Sequence, residues 1–360
     1  MKKLYLHIGT PKTGTSTLQH FFSNNREVLE NKGIYYPLWP EYDSLLDGGK
    51  ESTFGNFGWI ERVAMDDEHK KEIIEDIFEK YDNVLLSTEC IWIETKDKSA
   101  FLRWLKDICD IDIRVIVYLR RQDDYLEAQY REYVRVLQFT DSIHEVFDCN
   151  SASLGEVKET LNYLSILNDM ADVIGKNNII IRPYEKGQFR NNSIIDDFLY
   201  LLGLTPDKAY KMPEKNYNPS MSNDALELKR RMNKSGIATI KELNDCFYET
   251  LMIDGIESAI SNSPVHFKSM LSAEERSDFM KQFEKSNEQI AREYLGREDG
   301  KLFYQNYNAC DNAANDVFVE HILDETIKIF TSTFLKMNNR IIQLEDKINE
   351  LQISRDVEDG

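Results

Sequence analysis

Apolar residues in the first half of the chain fall into short dense runs separated by segments of helical spacing. Leu4, Tyr5, Leu6 and Ile8 make the first run, residues 83–87 (NVLLS) the second, 113–119 (IRVIVYL) the third and 178–182 (NIIIR) the fourth. Each has strand length and little polar alternation, which predicts strands buried on both faces. Between them, residues 15–31, 66–81, 98–109, 123–136 and 155–174 repeat apolar positions at helical intervals. Residues 33–37 predict one more short strand, ended by Pro37. Alternation of this kind predicts an α/β fold with a doubly wound parallel sheet.

After Gly203 the β-branched runs stop. Helical spacing continues at 222–233, 240–260 and 272–294, joined by polar turns such as Tyr217-Asn218-Pro219-Ser220. This predicts a helical cap on the core: an α/β core over 1–204, its helical extension over 205–314 and a separate tail over 315–355. In the tail, Leu323, Phe330, Met337, Leu344 and Leu351 alternate with Ile327, Phe334, Ile341 and Ile348. That 3–4 rhythm is a coiled-coil seam of about four heptads, with Arg340 and Glu345 at g and e. It predicts self-association or docking on a partner protein; the alternative is an amphipathic helix lying along its own domain. Residues 39–59 carry Trp39, Tyr42, Phe54, Phe57 and Trp59 among glycines. So ring-rich a loop is either a platform for sugar rings or a surface segment pinned by its aromatics.

Composition narrows the classes. A formal charge of −19 and a pI near 4.9 argue against a general nucleic-acid binder. An anionic ligand would have to be drawn in by a local positive pocket. Five scattered cysteines without a C-x-x-C pair indicate neither a disulfide framework nor a zinc site. The first apolar run begins at Lys3, and no run reaches membrane-spanning length. The expectation is a reducing, cytoplasmic setting of bacterial type, with no transmembrane segment and no metal.

The chemistry concentrates in residues 3–22, KLYLHIGTPKTGTSTLQHFF. A strand, a loop bounded by Gly9 and Gly14 and a helix start together make an anion site, because the first helical turn leaves N–H donors unpaired beside a positive dipole end. Thr13, Thr15, Ser16 and Thr17 add hydroxyls, and Lys12 adds a mobile charge. The nucleoside-triphosphate loop G-x-x-x-x-G-K-[ST] needs lysine directly after the second glycine. Here that position is Thr15 and the lysine comes earlier, which leaves an ATP-using kinase as a less favoured reading. Ligands of doubly wound sheets bind beyond the carboxyl ends of the strands. The loop after the first strand, Glu89 after the second and Arg120 after the third would all meet there.

The string PKTGTSTLQ resembles the 5′-phosphosulfate loop of sulfotransferases that use 3′-phosphoadenosine 5′-phosphosulfate (PAPS). The resemblance implies that Lys12 contacts the oxygen bridging phosphate and sulfate, and that Thr13, Gly14, Thr15, Ser16 and Thr17 hold the 5′-phosphate. YLRRQDDYLEAQY resembles the family's 3′-phosphate motif, an arginine followed eight positions later by serine and then by tyrosine. Arg120 and Tyr130 match, and Ala128 stands at the serine. LLSTE resembles the segment carrying the catalytic glutamate of carbohydrate sulfotransferases, which makes Glu89 the implied general base. A free glutamate titrates near 4.3 and would need burial to serve; otherwise Glu89 is an ion-pair partner of Lys12 or Arg120. His7 and His20 are alternative bases, although a strand histidine is more often a satisfied core residue. Residues 198–204 and 286–303 also resemble bacterial carbohydrate sulfotransferases. The expectation is sulfuryl transfer from PAPS to a carbohydrate or glycolipid hydroxyl, leaving 3′-phosphoadenosine 5′-phosphate (PAP). The competing expectation is a non-catalytic scaffold that has lost donor recognition, motivated by Ala128.

Overall fold

The computed structural model describes residues 2–37, 55–56, 67–93, 97–213, 221, 223–234, 270–305, 330, 333–334, 336–348 and 351. Four strands, β1 (Lys3–His7), β2 (Asn83–Ser87), β3 (Asp112–Leu119) and β4 (Ile179–Pro183), form one all-parallel sheet in the order β2-β1-β3-β4. In register, Lys3 faces Asn83 on one side and Asp112 on the other, and Val115 faces Ile179. β1 is central, and the chain leaves it toward β2 before crossing back to β3. The carboxyl ends of β1 and β3 thus flank the point where the connections diverge, the place such sheets use for ligands.

Both sheet faces are covered, which is why the strand runs lack polar alternation. Leu4, Leu6, Val84, Leu86, Val115 and Val117 pack on one side against helices Asp67–Lys80, Ala100–Ile108, Tyr163–Ile174 and Glu284–Glu293. Leu85, Ile116 and Tyr118 pack on the other side against α1 (Thr15–Asn24) and Ile194–Leu201, with Phe21, Phe22 and Phe198 at the centre. Ile290, Ala291 and Leu302 lie in the first of these cores. The C-terminal stretch around them is therefore part of the sheet's packing.

The chain falls into two compact units. One comprises Met1–Gln129, Leu154–Asn218 and Asp278–Asn306, and holds the sheet; the other comprises Tyr130–Ser153, Pro219–Ser277 and Tyr307–Gly360. In the second unit, helix Asn223–Lys234 is tied down by polar side chains. Asn233 donates to the carbonyls of Val134 (2.9 Å) and Phe139 (3.0 Å), and Arg230 donates to Thr140 O (2.8 Å). No helix among the described residues is long and apolar enough to cross a membrane.

Periodicity places the helices well but runs across their breaks. The span 15–31 is two helices, Thr15–Asn24 and Arg26–Asn31, parted at Asn25. The Asn25 amide donates to Phe21 O and Lys211 O and accepts from Lys211 N–H, so a side chain takes over where backbone bonding stops. The span 155–174 divides into Gly155–Glu159 and Tyr163–Ile174, and 272–294 into Ala273–Lys281 and Glu284–Glu293. Of the strand predicted at 33–37, only Tyr35 pairs, as a parallel bridge to Val84. The helix predicted at 240–260, the ring-rich loop apart from Gly55 and Asn56, and Leu323 and Ile327 of the tail lie outside the described residues.

Candidate active site

The loop after β1 is an extension of sheet pairing that then folds back. Ile8 N–H donates to Ile116 O (3.1 Å), Tyr118 N–H to Gly9 O (2.7 Å) and Thr10 N–H to Tyr118 O (2.9 Å), so β3 grips the chain beyond His7. The backbone then passes through three left-handed residues, Gly9 (φ 94°), Lys12 (φ 62°) and Gly14 (φ 75°). Glycine accommodates this region; lysine adopts it only where the surroundings hold it. At Gly14 a side chain would be crowded as well. A Cβ there would lie 3.0 Å from Ile194 Cδ1 and 3.3 Å from the Tyr184 hydroxyl.

The start of α1 is open at its amides. No side chain caps the helix at Gly14 and no acidic residue stands in its first turn. The N–H groups of Thr15, Ser16 and Thr17 therefore have no intrahelical acceptor, and the Glu89 carboxylate, held by the Thr15 hydroxyl, stands beside the positive end of the helix dipole. Ser16 and Thr17 are exposed beside them. Thr13 and Thr15 are buried and spend their hydroxyl hydrogens internally. Thr13 donates to Thr10 O, closing the loop on itself, and Thr15 donates to Glu89 Oε1. Of the four predicted hydroxyl donors, two hold the cradle's shape and two stay at its surface.

The cations come from the loop and from β3. Lys12 is half-buried, and its carbonyl accepts from Arg120 Nη1 at 2.9 Å. The Arg120 carbonyl in turn accepts from the Tyr163 hydroxyl (2.9 Å), which fixes the arginine's backbone. Its guanidinium stands 5.8 Å from the centre of the Tyr184 ring. Arg121 turns elsewhere, pairing with buried Asp123 (3.1 Å) and donating to Gln305 O (3.1 Å). Sequence reasoning missed Tyr184. Its N–H donates to Leu119 O, and burial pushes its phenol up while Arg120 pulls the other way. The signal was present, since Tyr184 follows β4 as Arg120 follows β3.

Glu89 follows β2 by two residues and faces the loop. Its Cγ would lie 3.7 Å from a Cβ on Gly9. Its carbonyl accepts from Trp92 N–H (3.0 Å) and Ile93 N–H (3.2 Å), starting the short helix Cys90–Ile93. The preceding residue, Thr88, donates its N–H to His7 O (2.9 Å). The structure thus brings Glu89, Arg120 and the loop to one edge of the sheet.

Beneath Glu89 lies a buried polar cluster centred on Ser87. His7 Nδ1 is 2.9 Å from Ser87 Oγ, Gln19 Nε2 donates to the same oxygen (3.1 Å), and Ser87 N–H donates to Asn56 Oδ1 (2.7 Å). Asn56 also donates to Leu85 O and Pro37 O, so one amide side chain occupies the open edge of β2 as a neighbouring strand would. Burial pushes the His7 pKa down to about 3, which keeps the ring neutral. His7 is accordingly a core residue behind the loop. His20 lies further along α1. In the sequence that resembles a 3′-phosphate motif, Ala128 offers no hydroxyl, and the neighbouring Gln129 donates to the Tyr125 hydroxyl (3.1 Å). Tyr130 is buried in the second unit, edge-on to Phe139.

No protein-family model matches the chain. It is 30% identical over 185 residues to an uncharacterized protein of Archaeoglobus fulgidus, a match covering 51% of this chain and 46% of that one. The chain spans about half the length of the curated relative it matches. Among solved structures it is similar to a sulfotransferase from Alicyclobacillus acidocaldarius, at 17% identity and a TM-score of 0.37, covering 66% of this chain and 94% of that one. It is also similar to the sulfotransferase domain of the curacin biosynthetic pathway, at 9% identity and a TM-score of 0.35, covering 60% of this chain and 79% of that domain. Both are sulfotransferases. Likenesses at those TM-scores are too distant to assign chemistry to this chain.

Proposed function

We propose that the chain transfers a sulfuryl group from PAPS to a hydroxyl of a carbohydrate or glycoconjugate. The supporting observation is the uncapped start of α1, where unpaired amides meet Lys12 and the Arg120–Lys12 clamp, with Glu89 on the same rim. In this reading the amides of residues 14–17 and the hydroxyls of Ser16 and Thr17 hold the 5′-phosphate. Arg120 meets the 3′-phosphate with charge-assisted bonds. The acceptor oxygen attacks sulfur in line as the bond from sulfur to the bridging phosphate oxygen breaks. That oxygen leaves with the electron pair on PAP, and Lys12 stabilises its charge. The acceptor proton passes to Glu89. Thr13 and Thr15 act indirectly, by holding the loop and orienting the carboxylate.

A carbohydrate acceptor is supported by the resemblance at LLSTE and by the five rings between Trp39 and Trp59. Asn56, within that ring-rich stretch, is anchored at Ser87, two residues before Glu89. The test is incubation with labelled PAPS and candidate glycans, paired with calorimetry of PAP. Transfer that disappears in Lys12→Ala, together with PAP binding by the parent protein, supports the proposal; absence of PAP binding defeats it. The scaffold reading draws on Ala128 and on Gln129, whose amide is already engaged with Tyr125. A folded protein that neither binds PAP nor transfers to any acceptor class would favour it.

A further inference from the structure

The described end of the chain carries large apolar side chains in solvent. Residues 336–348 are helical, as are Phe330, Thr333, Phe334 and Leu351. Phe334 is 72% exposed, Leu351 62%, Ile348 53%, Ile341 51%, Phe330 49% and Leu344 46%. Isolated exposed hydrophobics need no explanation, but these six follow one pattern, with Ile342 (47% exposed) alongside it and off the seam. Phe334, Ile341 and Ile348 occupy position a of successive heptads; Phe330, Met337, Leu344 and Leu351 occupy position d. A stripe with a strict 3.5-residue repeat drifts about 20° per heptad around a straight helix. It stays against a partner only if both helices supercoil, so the fitting partner has the same repeat.

Two further observations select a second copy of this chain, aligned in parallel. The last two heptads place isoleucine at a and leucine at d (Ile341 with Leu344, Ile348 with Leu351), the arrangement that favours two parallel strands. Arg340 stands at g and Glu345 at the following e, five residues later, and both are exposed. In a parallel pair in register, g of one helix faces the following e of the other, so a two-fold axis makes the Arg340–Glu345 contact twice. An antiparallel pair sets g against g and e against e, and loses both. Local charge also permits the association. The whole chain carries −19, whereas residues 336–348 hold three basic residues (Lys336, Arg340, Lys347) and two acidic ones (Glu345, Asp346). Two such segments meet with little net repulsion.

We propose that the helix over residues 336–348, with Phe330, Phe334 and Leu351 continuing its seam, pairs with the same residues of a second copy as a parallel, in-register, two-stranded coiled coil, with Arg340 against the partner's Glu345. The helix over residues 336–348 is about 20 Å long. The inference is independent of the sulfuryl-transfer reading, since none of its residues lies in the cradle.

Sedimentation of the full chain over a concentration series tests it. The expected mass is that of two chains, falling to one in Ile341→Asp. Arg340→Glu and Glu345→Arg alone each weaken the dimer by about tenfold in Kd, replacing two attractive contacts by two repulsive ones. Mixed together, the two variants pair with each other in preference to themselves. All the substituted positions are exposed in the single chain, so its fold is not at stake. A single-chain mass at every concentration overturns the proposal, as do a trimer, a dimer unaffected by Ile341→Asp, and a variant mixture with no preference for the mixed pair.

Discussion

Arg120, at the end of β3, donates through Nη1 to the main-chain carbonyl of Lys12, 2.9 Å away and 108 residues earlier. Lys12 holds a left-handed backbone, φ 62°, at the point where the loop turns toward α1. The arginine therefore braces an unfavourable turn and, in the proposed function, adds positive charge beside it. The Tyr184 ring and the Tyr163 hydroxyl support Arg120 from two other elements. A chain this acidic can hold a polyanion only where charge is concentrated by such geometry.

Removing that brace should cost donor affinity twice, through lost charge and through a loosened loop. Arg120→Ala is expected to weaken PAP binding by about 2–3 kcal/mol, roughly 30- to 150-fold in Kd. Arg120→Lys recovers only part, because lysine lacks the planar fork. Calorimetry with PAP reads both; an unchanged Kd in Arg120→Ala would remove this residue from donor recognition.

Glu89→Gln separates the two roles open to this residue. Glutamine retains an oxygen that accepts the Thr15 hydroxyl, so the rim keeps its shape. A general base lost in this way lowers kcat by about 10²–10⁴ while PAP affinity and thermal stability hold steady. If the carboxylate serves only as a counter-charge, kcat survives and PAP binds more tightly.

Gly14→Ala attacks the cradle without touching any charge. Its new methyl would meet Ile194 Cδ1 and the Tyr184 hydroxyl at a backbone φ of 75°. The expected loss is about 1–2 kcal/mol of stability from the left-handed backbone alone. PAP affinity falls with it, because the amides move. Pairing the substitution with Tyr184→Phe should relieve part of the crowding, and urea unfolding measures both. Full stability in Gly14→Ala would mean the turn relaxes freely.

His7 predicts an acid sensitivity. Its pKa falls from 6.5 in the unfolded chain to about 3 in the fold because burial disfavours the charged ring. Between those values the unfolded state binds the extra proton, so stability rises with pH across the window and is fully present above 6.5. Acidification from pH 6 to pH 5 should cost about 1 kcal/mol through this group, approaching about 1.4 kcal/mol per unit at lower pH. His7→Gln can still bond to Ser87 yet should lack that increment. Denaturation midpoints of the two proteins at each pH give the slope, and parallel slopes would show that His7 protonates in the fold.

Much of the fold was legible in the chain because buried parallel strands are dense apolar runs whatever surrounds them. NVLLS and IRVIVYL lie in strands of the sheet, NIIIR does so from Ile179, and the run at Leu4 opens it. The helix breaks were not legible. Asn25 ends a helix by bonding to Lys211, a residue far along the chain that no local period reports. The strand foreseen at 33–37 contracts to one bridge, since Asn56 fills the adjoining edge of β2.

The loop's composition alone raised the expectation of an anion site, from two glycines, four hydroxyls and a lysine at a helix start. Tertiary structure decided how those hydroxyls are employed. Thr13, in the loop, bonds back to Thr10; Thr15 turns inward to Glu89 while Ser16 and Thr17 face solvent, because the helix turns about 100° per residue and only one face meets the sheet. It also brought in Tyr184, which no motif marks, because adjacent parallel strands deliver their following residues to one edge. Local sequence sets which groups are available. Strand order sets which of them meet.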